Sequence, residues 1–357
     1  MKQAKCYTAK IFCIVFSITI LFSALVGCTS ESVSNTEEIP HTEISTEPKE
    51  SESSPASSSP SENSSATTGS RTSTTYQTNV EIPSAEPSES VVSSENDIDK
   101  IIPYGILFDT AKQEILFSKN ADLKVYPASL TKLVTACTAL KYVPVDTVFT
   151  VGTEQSLVKP QSSLCLIQKG HKLTLHDLIC GMLLASGNDA AYTVAVNTAR
   201  SVYKDKNLND EQAVKLFCQL MNEFAAQIGM NSSNFTNPDG WDDAEQYTTV
   251  NDLLKIAIYA NENDIINSIV SCDKKYVVFT SGQNITWKNS NKLLNENSEY
   301  YYPSATGMKT GTTKNAGKCL IASANKNGKT VIAIVMDCKT EEQRYSFAIH
   351  LFNKAFY

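Results

Sequence analysis

A sharp change in composition near residue 98 confines the folded part of this 357-residue chain to residues 99–357. Before that point, 48 of the 70 residues from 29 to 98 are Ser, Thr, Glu or Pro, and Tyr76 is the one aromatic residue. Such a segment buries too little apolar surface to offset the entropy that is lost on ordering. We therefore predict a disordered tether over 29–98. The tether carries a net charge of −11, whereas residues 99–357 hold 26 basic and 25 acidic residues and are nearly neutral.

The N-terminus has the order of parts that is typical of an export signal. Three lysines within the first ten residues precede an apolar run over 11–27, which ends in the sequence Leu-Val-Gly-Cys28. This ending resembles a bacterial lipobox, in which the cysteine thiol receives a lipid and the preceding peptide is removed. We predict a lipoprotein signal over 1–28, lipidation of Cys28, and attachment to the extracytoplasmic face of a bacterial membrane. An uncleaved signal anchor is the alternative, because a largely apolar run of 17 residues is just long enough to span a bilayer.

The cysteines and histidines give no sign of a metal site. Seven cysteines lie in 99–357, an odd number without CxxC spacing, so neither a zinc ribbon nor a redox motif is indicated. We predict that they are buried free thiols. The chain also lacks a phosphate loop and a basic patch with interleaved aromatic residues, which argues against nucleotide and nucleic-acid partners.

Periodicity in 99–357 predicts strands at both ends and helices between them. The predicted strands cover 104–109, 114–118, 274–280, 283–288, 319–324 and 330–337, and the predicted helices cover 130–142, 175–185, 190–203, 211–228, 249–260 and 341–357. Asn327-Gly328 is a strong hairpin signal between the last two strands. The pattern predicts an α+β fold, in which both chain ends build an antiparallel sheet with a helical region packed on it.

The entrance to the first predicted helix carries a candidate nucleophile and its base. Ser129 and Lys132 are three residues apart, so they share one face of a helical turn. A serine needs a base within hydrogen-bond reach, and a buried lysine can act as that base once its pKa falls. SxxK spacing occurs five times in the chain, and the others fit a surface serine with a solvated lysine. The Pro-Ala-Ser entrance to an apolar helix favours Ser129.

Two further motifs lie where the predicted fold would hold their side chains in place. Ser186-Gly187-Asn188 joins two predicted helices, although a helix cap alone would also explain it. Lys309-Thr310-Gly311 occurs once and directly precedes the final hairpin, so Lys309 should lie on a strand of the sheet. An ordinary lysine near a sheet edge is the alternative there.

Taken together and in this order, the three motifs resemble the SxxK, SxN and KTG motifs of the serine penicillin-recognising enzymes. The resemblance covers residues 99–357 and implies a β-lactamase/transpeptidase-like fold. Within that group the chain is most similar to the low-molecular-weight penicillin-binding proteins, which are serine D-Ala-D-Ala carboxypeptidases. The segments that carry this closer resemblance are Tyr126-Pro127-Ala128-Ser129, Ser186-Gly187-Asn188-Asp189-Ala190, Asn237-Pro238-Asp239-Gly240, Asn289-Ser290-Asn291-Lys292-Leu293-Leu294 and Gly307-Met308-Lys309-Thr310-Gly311.

The resemblance implies a catalytic role for three residues. Ser129 would attack the carbonyl of the penultimate D-Ala in a peptidoglycan stem pentapeptide while Lys132 takes its proton. Ser186 would pass a proton to the leaving D-Ala, and water would hydrolyse the acyl-enzyme. β-Lactams imitate D-Ala-D-Ala and would acylate Ser129. Such chemistry needs no metal or cofactor.

The resemblance also implies a substrate-binding set. Asn188 would hold the substrate amide. Lys309 would place positive charge near the substrate carboxylate and help to keep Lys132 neutral. Backbone N–H groups of Ser129 and Thr312 would form the oxyanion hole. An arginine after the last strand binds the carboxylate in some relatives, and Arg344 lies at about that place, although it could equally be a helix-surface arginine. The set is Asn188, Lys309, Thr310, Gly311, Thr312 and Arg344.

The residues leave three alternatives to a carboxypeptidase open. A class A β-lactamase would need a glutamate followed four residues later by asparagine between SxN and KTG, and the chain has no such pair there. An endopeptidase would use the same residues as a carboxypeptidase. A non-catalytic wall-binding lipoprotein would predict the loss of a motif residue, and none is lost.

The chain departs from some relatives in carrying Thr312 where they have histidine. It ends 46 residues after Gly311, so we expect no second domain and anchoring through Cys28.

Overall fold

The computed structural model describes residues 95–357, and side chains from Asp97 onward. The predicted signal, Cys28 and the tether up to residue 94 lie outside the described residues. The helices are α1 (Glu95–Ile101), α2 (Thr131–Tyr142), α3 (Leu175–Leu184), α4 (Asn188–Val202), α5 (Asp210–Gln227), α6 (Val250–Glu262), α7 (Asp264–Val270) and α8 (Glu341–Phe356). The strands are β1 (Tyr104–Asp109), β2 (Glu114–Lys119), β3 (Val148–Thr150), β4 (Lys172–Thr174), β5 (Lys274–Val278), β6 (Asn284–Lys288), β7 (Ala305–Thr313), β8 (Gly317–Lys326) and β9 (Lys329–Cys338). Over residues 95–357, the helices are all too short or too polar to cross a membrane.

Five strands form one antiparallel sheet in the order β2-β1-β9-β8-β7. The first and last parts of the described chain meet in it, because β1 pairs with β9 and places Ile106 opposite Ile334. This arrangement confirms the predicted α+β fold. Strand β7, which carries the KTG motif, is an edge strand, so its outer side is free to line a cleft.

The sheet has an apolar core on each face. Side chains alternate along a strand, so Ile106 and Ile334 face the helical region, whereas Leu107 and Val335 face α8. Helix α8 covers its face of the sheet with buried residues at helical spacing, namely Tyr345, Ala348, Leu351 and Phe352. The other face packs against the helical region that contains α2, and nine of the twelve residues of α2 are buried. The SxxK turn is therefore held rigidly between the sheet and the helices.

Most predicted elements are confirmed to within a few residues, and the exceptions are short. Strands β3 and β4 have three residues each, too few to show a period in the sequence. Helix α7 was not predicted. It follows α6 after a single residue, Asn263, whose side chain caps α7 by accepting from Ile266 N at 3.0 Å. Helix α1 crosses the boundary predicted at residue 98 and is tied to α8 by Asp99, which binds His350 and Lys354.

The seven cysteines of the described residues are all free, and six of them are buried. Cys272 is the partly exposed one. Burial raises the pKa of Cys137 and of Cys319 to about 12, so these thiols stay protonated at neutral pH. The prediction of buried free thiols holds for this part of the chain, with Cys272 as the exception in burial.

Candidate active site

The SxxK turn places Ser129 and Lys132 in direct contact. Ser129 lies in a 3₁₀ turn (Ala128–Leu130) that leads directly into α2, and Lys132 is in the first turn of that helix. The Lys132 Nζ lies 2.8 Å from the Ser129 Oγ. The pair therefore has the geometry of a nucleophile and its base.

Lys132 is completely buried, and its amine has three hydrogen-bond partners. Besides Ser129 Oγ, the Nζ donates to Asn188 Oδ1 and to the backbone oxygen of Asp239, both at 2.7 Å. Burial lowers the pKa of Lys132 to about 8, although the Asp239 and Asp189 carboxylates oppose the shift. A neutral lysine can keep two of these contacts as a donor and turn its lone pair to the Ser129 hydroxyl. The site thus supplies a base that works near neutral pH.

A second serine–lysine pair faces the first from the other motifs. Ser186 joins α3 to α4 with a φ of 59°, in the left-handed region, and Lys309 lies on β7. The Lys309 Nζ donates to Ser186 Oγ and to Thr310 O, both at 2.9 Å. Burial lowers the pKa of Lys309 well below its usual range, and the charges of Lys132 and Arg344 lower it further. Gly187 has an ordinary φ of −62° and is the N-cap residue of α4, so the left-handed residue of this turn is Ser186 and not the glycine.

Two glycines let other segments approach the backbone of the nucleophile. Gly240 has a φ of +88°, and a Cβ added there would lie 1.8 Å from Ala128 O and 2.9 Å from Ser129 N. On the opposite side, a Cβ on Gly311 would lie 3.3 Å from Ser129 N. Strand β7 and the loop around Gly240 therefore clamp the turn that presents Ser129. This places the Lys-Thr-Gly strand beside the Ser129 N–H, where the predicted oxyanion hole requires it.

Arg344 lies at the same cleft, and it is buried rather than on a helix surface. It is 5% exposed, and its Nη2 donates to Glu341 at 2.9 Å. Its Nη1 is 3.4 Å from Thr312 Oγ1, which is a long contact. The Arg344 Nε has no hydrogen-bond partner within residues 97–357, so the guanidinium has unused donor capacity.

The cleft runs through three adjoining cavities. A cavity of about 230 Å³ is lined by both motif serines, Ser129 and Ser186, and by Arg344. A cavity of about 80 Å³ shares Ser129 and Thr312 with it, and a larger one of about 940 Å³ shares Thr312 and Trp241 with the second. A peptide held at Ser129 could thus have one end near Arg344 and continue in the other direction toward Trp241.

The predicted site residues within 97–357 line this cleft, except that Lys132 and Lys309 lie buried behind it in contact with Ser129 and Ser186. Several supporting residues were not predicted. Asp189 accepts hydrogen bonds from Cys165 N and Ile167 N, at 2.9 and 3.2 Å, and so fixes the segment over the start of α4. The Ser290 Oγ pairs with Thr310 Oγ1 at 2.7 Å. Asp239 contacts Asn188. These residues lie within segments that carry the family resemblance, yet no local pattern in the sequence shows what they contact. Within residues 97–357, the acidic, histidine and cysteine side chains form no cluster suited to a metal.

An activated serine beside a buried lysine, facing a second serine–lysine pair at the edge of an antiparallel sheet, defines a serine acyl-transfer enzyme of the penicillin-recognising fold. Residues 103–340 match the family described as D-alanyl-D-alanine carboxypeptidase, and the chain belongs to this family. It is therefore a serine-type hydrolase, as the motifs predicted. The comparisons do not favour the β-lactamase or the non-catalytic alternative.

Individual relatives agree with this assignment. The D-alanyl-D-alanine carboxypeptidase of a Streptomyces species is 32% identical over 254 residues, which are 68% of this chain and 82% of the relative. DacF of Bacillus subtilis, with the same description, is 26% identical over 70% of this chain and 61% of its own length. The crystal structure of the Streptomyces K15 DD-transpeptidase superposes with a TM-score of 0.65 at 30% identity, covering 71% of this chain and 97% of that one.

Proposed function

We propose that this chain removes the terminal D-Ala from peptidoglycan stem pentapeptides through an ester on Ser129. The observation that carries this proposal is the 2.8 Å contact between Ser129 Oγ and the fully buried Lys132 amine. Such a base is neutral in part of the molecules at neutral pH, and it is in contact with the hydroxyl that must lose its proton.

In the first step, Ser129 Oγ attacks the carbonyl carbon of the penultimate D-Ala, and Lys132 takes the hydroxyl proton. The negative charge on the carbonyl oxygen is stabilised by the N–H groups of Ser129 and Thr312. The C–N bond then breaks, an ester forms on Ser129, and a proton reaches the leaving amine through Ser186, which Lys309 contacts at 2.9 Å. In the second step water attacks the ester carbonyl carbon, the C–O bond to Ser129 breaks, and a proton from the water restores the Ser129 hydroxyl as the shortened peptide leaves with a carboxylate end.

The positive end of the cleft orients the substrate. Lys309, Arg344 and the hydroxyls of Thr310 and Ser290 lie near or within the cavity of about 230 Å³, which suits the carboxylate of the terminal D-Ala. Burial and the neighbouring positive charges bias Lys309 toward its neutral form, and an arriving carboxylate would favour the ammonium. The peptide on the other side of the reacting bond then extends past Trp241 into the larger cavity. β-Lactams, which carry a comparable carboxylate, would acylate Ser129 in the same orientation.

We further propose that this activity is held at a membrane, and the N-terminal sequence supports this proposal. A lipid on Cys28 would hold the chain to the outer face of the cytoplasmic membrane, and the acidic Ser/Thr/Glu/Pro-rich segment would let the enzyme reach the wall. Metabolic labelling with a fatty-acid analogue, followed by intact-mass analysis of a Cys28→Ser variant beside the original chain, tests this assignment.

Intact-mass spectrometry after incubation with penicillin tests the reaction, with Ser129→Ala as the matched variant. We expect one long-lived adduct on Ser129, none on the variant, and release of D-Ala from a stem pentapeptide by the original chain alone. Rapid loss of penicillin without a stable adduct would identify a β-lactamase instead. Cleavage of cross-linked dimers in preference to the pentapeptide would identify an endopeptidase. If no adduct formed and no substrate were turned over, the chain would be a wall-binding protein without catalytic activity.

Arg344 offers a separate test of how the substrate lies. We expect Arg344→Gln to lower kcat/KM about 10- to 100-fold for a pentapeptide with a free C-terminal carboxylate, because a hydrogen bond to a charged group contributes about 1.5–3 kcal/mol. The same peptide with an amidated C-terminus should be affected much less. Steady-state kinetics on the two peptides, with thermal melting as a folding control, make the comparison. An equal loss on both peptides would show that Arg344 does not bind the carboxylate.

A further inference from the structure

The carboxylate of Asp239 is connected to Lys132 through a shared hydrogen-bond partner, Asn188. One of its oxygens accepts from Asn188 Nδ2 at 2.6 Å, and the other accepts from Trp241 N at 3.2 Å. The same Asn188 presents its Oδ1 to Lys132 Nζ at 2.7 Å, and the backbone oxygen of Asp239 contacts that amine directly at 2.7 Å. Asp239 therefore reaches Lys132 by two routes, although it lies 107 residues further along the chain.

We propose that Asp239 is the positioning residue and counter-charge of Lys132: it holds Asn188 against the lysine and stabilises the proton that Lys132 takes from Ser129. The inference rests on the proposed roles of Ser129 and Lys132. It adds a residue that the three motifs do not contain and assigns a task to its side chain.

The hydrogen bonds fit an ionised carboxylate. Both oxygens of Asp239 face N–H donors, and a carboxylate that only accepts hydrogen bonds satisfies both. The side chain is 1% exposed, so its charge acts through a medium of low dielectric constant. Burial raises the pKa of Asp239, while the nearby Lys132 lowers it. In return, Asp239 is the foremost of the groups that hold the pKa of Lys132 up against burial.

The other charges around this pair do not duplicate Asp239. Lys132 is also near Asp189 and Cys165, and its own charge is among those that lower the pKa of Lys309. The Asp189 carboxylate is already engaged by the backbone N–H groups of residues 165, 167 and 190. Asp239 itself has Lys159, Tyr192 and Cys218 near it. Of these groups, Asp239 is the carboxylate that also fixes a hydrogen-bond partner of Lys132.

The geometry separates this role from that of a water-activating carboxylate. A class A β-lactamase uses a carboxylate in this part of the chain to deprotonate water. Each Asp239 oxygen instead accepts from a protein N–H donor, and one of these donors, Asn188, itself accepts from Lys132. Asp239 acts on the lysine that serves acylation.

The test is the pH dependence of Ser129 acylation by a fluorescent penicillin, measured from about pH 5.5 to 9.5 on the full chain in detergent. Because Lys132 must be neutral to act, the rate should rise as pH rises through the apparent pKa of the lysine pair. Removing the negative charge lowers that pKa, so Asp239→Asn should shift the midpoint to lower pH by about one unit or more. The plateau rate should fall about tenfold, since a weaker base takes the proton less readily.

Asp243→Asn is the matched control, because Asp243 is an exposed residue of the same loop whose side chain accepts from Glu245 N. It should keep the midpoint of the original chain. Asp239→Ala, a second neutral variant, should shift the midpoint as Asp239→Asn does. The rate constant at each pH is measured on the molecules that become labelled, so partial misfolding of a variant does not alter the midpoint. Unchanged midpoints in both Asp239 variants would overturn the inference. A complete lack of labelling in the original chain would instead overturn the proposed function.

Discussion

Replacing Lys132 with methionine should slow acylation of Ser129 by a factor of about 10² to 10⁴, the contribution typical of a general base. Methionine fills a similar volume, but it removes the amine that lies 2.8 Å from Ser129 Oγ. It also leaves Asn188 Oδ1 and Asp239 O without their donor. Stopped-flow or quenched labelling with a fluorescent penicillin measures the rate.

The chain supplies its own control for this prediction. Ser201 and Lys204 have the same SxxK spacing, yet both are exposed and the Ser201 hydroxyl donates to a helix carbonyl. Lys204→Met should therefore leave the acylation rate unchanged. In the original chain the rate should rise between pH 6 and 9, because burial places the pKa of Lys132 at about 8 and the neutral form is the active one. A Lys132→Met variant that acylates at more than a tenth of the original rate would rule out Lys132 as the base.

Gly240→Ala is the second change from which we expect a large effect. The added Cβ would lie 1.8 Å from Ala128 O, in the turn that carries Ser129, and the residue would keep a φ of +88°. A backbone oxygen cannot rotate away as a flexible side chain can, so the turn or the 240 loop must move. We expect a loss of about 3 kcal/mol or more in the free energy of unfolding, from overpacking together with the left-handed conformation. Penicillin labelling should fall in the fraction that still folds.

Gly282→Ala separates the two contributions. Gly282 has a φ of +96°, and a Cβ there would meet no atom within 4 Å. This variant should lose only the conformational part, about 1–2 kcal/mol, and keep its labelling rate. Chemical denaturation of both variants provides the comparison. If Gly240→Ala were no less stable than Gly282→Ala and labelled normally, the close approach of the 240 loop to Ser129 would not matter for the site.

Features that depend on neighbouring residues could be read from the sequence. The Ser129–Lys132 pair is one of them, since i and i+3 meet on one helical turn whatever the surroundings. The Asn327-Gly328 hairpin and the amphipathic helix α8 are others, because turn chemistry and apolar periodicity are local. A sheet shared by both ends of the folded part also followed from their apolar runs, whereas the pairing of β1 with β9 within it came only from the structure.

The sequence by itself determined the motifs, their order and most of the elements that carry them, because each depends on residues a few positions apart. Tertiary structure decided the rest of the site. Asp239 and Gly240 lie more than 100 residues from Lys132 and Ser129, so no spacing rule connects them. The base strength of Lys132 is likewise a property of the packed interior. The same lysine would be a solvated cation on a surface helix, and only the loss of water around its amine makes it a base near neutral pH.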